Sequence, residues 1–138
     1  MKATFSGLRI AVIALGCYWV LMFISTHIPA NAVPHLHISD KFVVSDKLIH
    51  AVAFAGLAFL LSWAIPTNSS RPLRNVLFAG VIGILYACLD ELLQIPVGRT
   101  ADWNDLWADC LGILFGLLLY TSVRHYLIRM RVSLFARA

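Results

Sequence analysis

Leu106-Trp-Ala-Asp-Cys-Leu-Gly-Ile-Leu-Phe-Gly-Leu-Leu-Leu-Tyr-Thr-Ser-Val-Arg-His-Tyr126 decides how this chain is to be read. A helix needs about 20 apolar residues to cross ~30 Å of hydrocarbon, and this run supplies them while admitting one carboxylate, Asp109. Three more runs of similar length precede it, at Leu8 to Ile28, Leu48 to Ile65 and Val76 to Leu93. Breakers separate them: Pro29 and Pro34, then Pro66 to Pro72, then Pro96-Val-Gly98. Hydrophobic residues make up 60% of the 138 and mean hydropathy is +0.81, more apolar surface than a soluble domain can hide. The expected fold is all-α, one integral membrane four-helix bundle, with helices near 8–28, 48–65, 76–93 and 106–126. No linker is long enough for a second domain. The pI near 9.3 does not imply nucleic acid, because the basic residues lack aromatic interleaving and a soluble domain to carry them.

Charge sets the topology instead. Of the 11 basic residues, Lys2, Arg9, Arg71, Arg74, Arg124, Arg129, Arg131 and Arg137 lie in the two termini and the middle loop, which an even helix count places on one side. The other two loops and their flanks hold Lys41, Lys47, Arg99 and all 7 acids. The positive-inside rule then puts both termini in the cytoplasm and the acidic loops outside a cytoplasmic (inner) membrane. Ala30-Asn31-Ala32 after the first run also resembles a signal-peptidase site, but that run is roughly 19 residues against about 7–15 for a signal core. Cys17, Cys88 and Cys110 fall within apolar runs at no metal-ligand spacing and read as small buried hydrophobes.

Depth gives the sharpest indication of a site. Counting ~1.5 Å per residue from the cytoplasmic end, His50 lies about 22 Å in, Asp90 about 24 Å and Asp109 about 22 Å. Ionisable groups in the outer hydrocarbon third cost a few kcal/mol each unless they face one another or water. A shared pocket follows. Asp102, Asp105, Asp109, Gly112 and Gly116 form one helical stripe, and Gly80, Gly83, Ala87, Asp90 and Gln94 another. Lys47, Ala51, Ala55, Ala58 and Ser62 form a third. Small residues let helices approach closely, so Gly80, Gly83, Gly112 and Gly116 read as packing positions.

Asp46, Asp102 and Asp105 begin helices, where a carboxylate caps N–H groups and meets the positive dipole end. Asp90 and Glu91 sit at a helix C-terminus, where the dipole opposes them, and need compensation from Arg99, Lys47, His50 or a proton. No cofactor is required, though Asp90, Glu91 and Asp109 could hold a divalent cation such as Mg²⁺ or Ca²⁺. His35-x-His37 lacks a third ligand at useful spacing.

Asp46-Lys47-x-x-His50 and the ordered set Asp90, Glu91, Gln94, Pro96, Gly98, Arg99, Asp102, Asp105, Asp109, Gly112 and Gly116 resemble the VanZ-like family. Ser25 and Pro29 fit as well. The family often carries Asn in place of Asp109. The resemblance implies a small multi-helix membrane protein, its namesake being linked to low-level resistance to the glycopeptide antibiotic teicoplanin, and it brings no settled biochemical activity.

Three functions are compatible with these residues. An outward pocket could bind the polar head of a membrane lipid or lipid-linked envelope precursor, using Lys47, His50, Asp90, Glu91, Gln94, Arg99, Asp105 and Asp109, with Arg99 gripping a phosphate or carboxylate. The same pocket could be catalytic in phosphoryl or acyl transfer, with His50, Asp90 or Glu91 as general base. Neither a P-loop nor a nucleophile elbow is present. The polar groups could also be interhelical glue in an assembly factor.

Overall fold

The computed structural model describes residues 5–27, 46–65 and 72–135. They form α1 (Phe5–Thr26), α2 (Asp46–Ala64), α3 (Pro72–Gln94), a short 3₁₀ turn (Ile95–Val97) and α4 (Trp103–Phe135). All four helices are long and apolar enough to span a membrane, and the described residues contain no strand. Ala30 to Ala32, His35, His37 and the side chain of Asp46 lie outside the described residues.

α2 and α4 run parallel and make the closest pair. Their seam is built from the small-residue stripes. A methyl group on Gly112 would run into the backbone carbonyl of Ala51, and one on Gly116 into that of Ala55. With no hydrophobic force between helices in lipid, such close approach is what supplies dispersion contact. α3 runs antiparallel to α4, with Gly80 and Gly83 under the side chains of Leu117 and Ile113. α1 leans on α2, where the Tyr18 hydroxyl donates to the Ala53 carbonyl at 2.8 Å. Phe54, Leu57, Ala58, Tyr86, Ala87 and Ile113 form the core.

Large apolar side chains such as Ile10, Leu21, Leu77, Leu85, Leu111 and Phe115 point outward, as lipid-facing residues do. This outward face corrects the reading of the cysteines, since Cys17 and Cys88 are exposed and Cys110 only half-buried. In lipid both faces of a helix are apolar, so hydropathy does not separate inside from outside. All four helices begin before the predicted limits, and α3 and α4 also end beyond them, whereas α1 and α2 stop just short. α4 is the extreme case, with 33 residues from Trp103, which is exposed, to Phe135. Apolar length measures hydrocarbon, whereas a helix continues beyond it wherever propensity allows.

The turn from α3 to α4 is tight. Gly98 takes φ 79°, its N–H bonding to the Ile95 carbonyl at 3.1 Å. That left-handed conformation is costly for any residue with a Cβ, so Gly98 holds the turn that places Arg99.

Candidate functional site

The C-terminal ends of α1 and α3 meet the N-terminal ends of α2 and α4 at one end of the bundle. Arg9, Arg74, Arg124 and Arg129 lie toward the other end. The buried charged side chains here, His50, Asp90, Glu91, Asp105 and Asp109, divide into three connected groups.

The first surrounds Asp90, which is fully buried. Its Oδ1 accepts from the Thr26 hydroxyl at 3.1 Å and the Tyr86 hydroxyl at 3.3 Å, and its Oδ2 from the Gln94 amide at 3.1 Å. His27 approaches with Nδ1 3.9 Å from the carboxylate and 3.0 Å from Thr26 Oγ1. The same nitrogen lies 2.9 Å from the Phe23 carbonyl, which can only accept, so a proton there is shared between Phe23 and Thr26 while the Thr26 hydroxyl donates to Asp90. Tyr86 and Gln94 stand four residues either side of Asp90, on its own helical face.

In the second, His50 Nδ1 lies 3.0 Å from Asp109 Oδ1, joining α2 to α4 with 4% and 0% of the two side chains exposed. Glu91 faces the same centre from α3. Its Oε2 accepts the Asp102 N–H at 2.9 Å, tying the end of α3 to the start of α4. One ligand atom each from His50, Glu91 and Asp109 lies within 4.8 Å of the others. His50, rather than Asp90, thus groups with Glu91 and Asp109. Adjacent residues are about 100° apart around a helix, so Asp90 turns to α1 and Glu91 to α4.

The third is the rim. Lys47 Nζ is 3.2 Å from Asp105 and 3.6 Å from Asp102, so its charge compensates α4 carboxylates rather than Asp90 or Glu91. Arg99 is half-buried, with Nη1 3.5 Å from the Thr26 carbonyl at the end of α1. A guanidinium there favours the negative dipole end. Asp102 is the N-cap of α4, its Oδ1 accepting the Asn104 N–H at 2.9 Å. That backbone bond, aided by Lys47, holds the Asp102 carboxyl below its usual range.

A group depressed in the folded state stabilises it above the unfolded titration and loses that effect as pH falls through the folded one. Asp102→Ala is therefore expected to lower the unfolding temperature by a few degrees at neutral pH. The gap from wild type should close in acid below about pH 4. Thermal unfolding in detergent across pH checks this, and a deficit independent of pH would exclude the charged cap.

Beside Glu91 the surface opens into a groove of about 290 Å³, walled by Cys88, Leu92, Trp103 and Leu106. Its lining is apolar apart from the Glu91 and Asp102 end. Thr26, His27 and Tyr86 are site residues that depth counting missed. The i±4 spacing of Tyr86 could have found one of them, whereas Ser25-Thr26-His27 shows a polar end to the first run without saying which helix it faces. A family model described as VanZ/LLP1 matches residues 10–127. No curated protein and no solved structure matches the chain.

Proposed function

The chain belongs to the VanZ/LLP1 family, and from that premise we propose that it is a multi-pass protein of the bacterial cytoplasmic membrane that binds the polar head of a lipid or lipid-linked envelope precursor. The groove beside Glu91 carries this reading, because it joins lipid-facing apolar walls to a buried carboxylate. An alkyl segment would lie along Leu92 and Trp103 while hydroxyl or amine donors meet Glu91. Arg99 at the same end supplies positive charge for a phosphate. A volume near 290 Å³ suits a head and a few methylenes. The arginines at the opposite end support both termini being cytoplasmic and the site facing outward.

Native mass spectrometry of purified protein, with phosphatidylglycerol and phosphatidylethanolamine offered together, tests the reading. Wild type should retain the anionic lipid, and Arg99→Ala should lose it by about 10-fold, as for one charge-assisted hydrogen bond. Equal retention by both folded proteins would remove lipid-head recognition. The His50–Asp109 contact favours a second reading, in which Asp109 orients His50 as a general base. Bound lipid returned with altered mass, and unaltered in His50→Gln, would establish that alternative.

A further inference from the structure

We propose that His50, Glu91 and Asp109 bind one divalent transition-metal ion. The three side chains come from α2, α3 and α4 and are 4%, 5% and 0% exposed. Their ligand atoms lie within 4.8 Å of one another. A metal with bonds of about 2.1 Å holds tetrahedral ligands roughly 3.4 Å apart, so the widest pair of this group closes by up to about 1.4 Å on binding, and His50 and Asp109 are already within that spacing.

The second observation is independent of spacing. Asp109 Oδ2 and Glu91 Oε1 are buried and have no hydrogen-bond partner among the described residues. Leaving carboxylate oxygens bare inside a membrane bundle costs several kcal/mol each. Asp90 next door shows the contrast, since Thr26, Tyr86 and Gln94 occupy both its oxygens. Lys47 is engaged at the rim with Asp105 and Asp102. A dication compensates both bare oxygens at once.

The donor set narrows the ion. One imidazole with two carboxylates favours zinc, manganese or iron over magnesium or calcium, which prefer oxygen alone. One supporting contact lies outside the three ligands: the Asp102 N–H orients Glu91, while the His50–Asp109 hydrogen bond is exchanged for bonds to the ion. Two carboxylates and a neutral imidazole leave the site without net charge once a dication is bound.

The inference goes beyond lipid binding and is separable from it, because the probe is the metal alone in detergent with no lipid added. Purified full chain, stripped with chelator, is titrated with Zn²⁺ and with Co²⁺, whose visible absorption reports nitrogen and oxygen ligation. One ion per chain is expected, with Zn²⁺ displacing Co²⁺ and excess Mg²⁺ displacing neither. Glu91→Gln and Asp109→Asn should each weaken binding by about 100-fold or more. The His35→Ala, His37→Ala double variant should bind as wild type does.

Unfolding temperature with and without Zn²⁺ separates ligation from folding, since an ion bound only by the native state raises it. The rise should be present in wild type and absent in whichever of the two carboxylate variants folds. No uptake by wild type would overturn the proposal. So would binding that survives both carboxylate substitutions or disappears with His35 and His37.

Discussion

Placing alanine at both Gly112 and Gly116 is expected to lower stability by roughly 2–4 kcal/mol. Each added methyl meets a backbone carbonyl, of Ala51 or Ala55, on α2. A flexible side chain could turn aside, but a carbonyl moves only with its helix. The two helices must then separate along the seam that contributes most of the contact in the bundle. Alanine offsets part of the loss, because it is about 1 kcal/mol better than glycine in a helix interior. Overpacking by two methyls against backbone exceeds that gain. Gly16→Ala is the matched control. Nothing lies within 4 Å of its added methyl, so it should leave stability unchanged or slightly higher. Thermal unfolding by size-exclusion chromatography measures both, and equal behaviour of the two proteins would contradict the packing described for α2 and α4. Separation of this seam should also pull His50 from Asp109, since His50 adjoins Ala51 and Asp109 lies one turn before Gly112.

The second large effect concerns Asp90. Asp90→Ala should destabilise by about 2–4 kcal/mol, because the Tyr86 hydroxyl and the Gln94 amide would face an apolar void with donors unmet, while Thr26 falls back on the Phe23 carbonyl. Asp90→Asn should cost far less. Its carbonyl oxygen can still accept from both hydroxyls, and Gln94 can turn its amide to offer oxygen to the new NH₂. The pair separates two roles for the carboxylate. If hydrogen-bond acceptance is what the fold needs, asparagine restores stability. If negative charge is needed against His27, 3.9 Å away, asparagine fails as alanine does. Chemical or thermal denaturation of the three proteins under one detergent condition reads the difference. Alanine and wild type unfolding together would show that this network does not support the bundle.

Much of this arrangement is legible without coordinates. Four apolar runs give four helices, and equal depth brings His50 and Asp109 into contact. The physics is simple, since an ionisable group in hydrocarbon must find a partner at its own level. Depth says nothing of azimuth, however. Asp90 and Glu91 share a level and diverge, one to α1 and one to α4, because a single residue step rotates the side chain by about 100°. Arg99 behaves similarly. Its position after Gly98 is readable as the end of a turn, but its contact with the Thr26 carbonyl depends on where α1 ends. The contribution of α1 is the least visible of all, because Ser25, Thr26 and His27 read as the polar end of a span and only the packing of α1 turns Thr26 and His27 to Asp90.

The Trp-to-Arg layout of α4 has a bearing on how solutes reach the bundle. Indole rings favour the level where headgroups meet acyl chains, and guanidinium groups reach for phosphates beyond the opposite leaflet. On the outward orientation proposed above, which sets Trp103 at that waterline, Asp109 is six positions further along, a draught of about 9 Å. A proton or ion arriving from the aqueous phase therefore descends a shallow well rather than crossing half a bilayer. On that orientation the ion pairs of Lys47 with Asp102 and Asp105 are the layer between such a solute and the buried carboxylates.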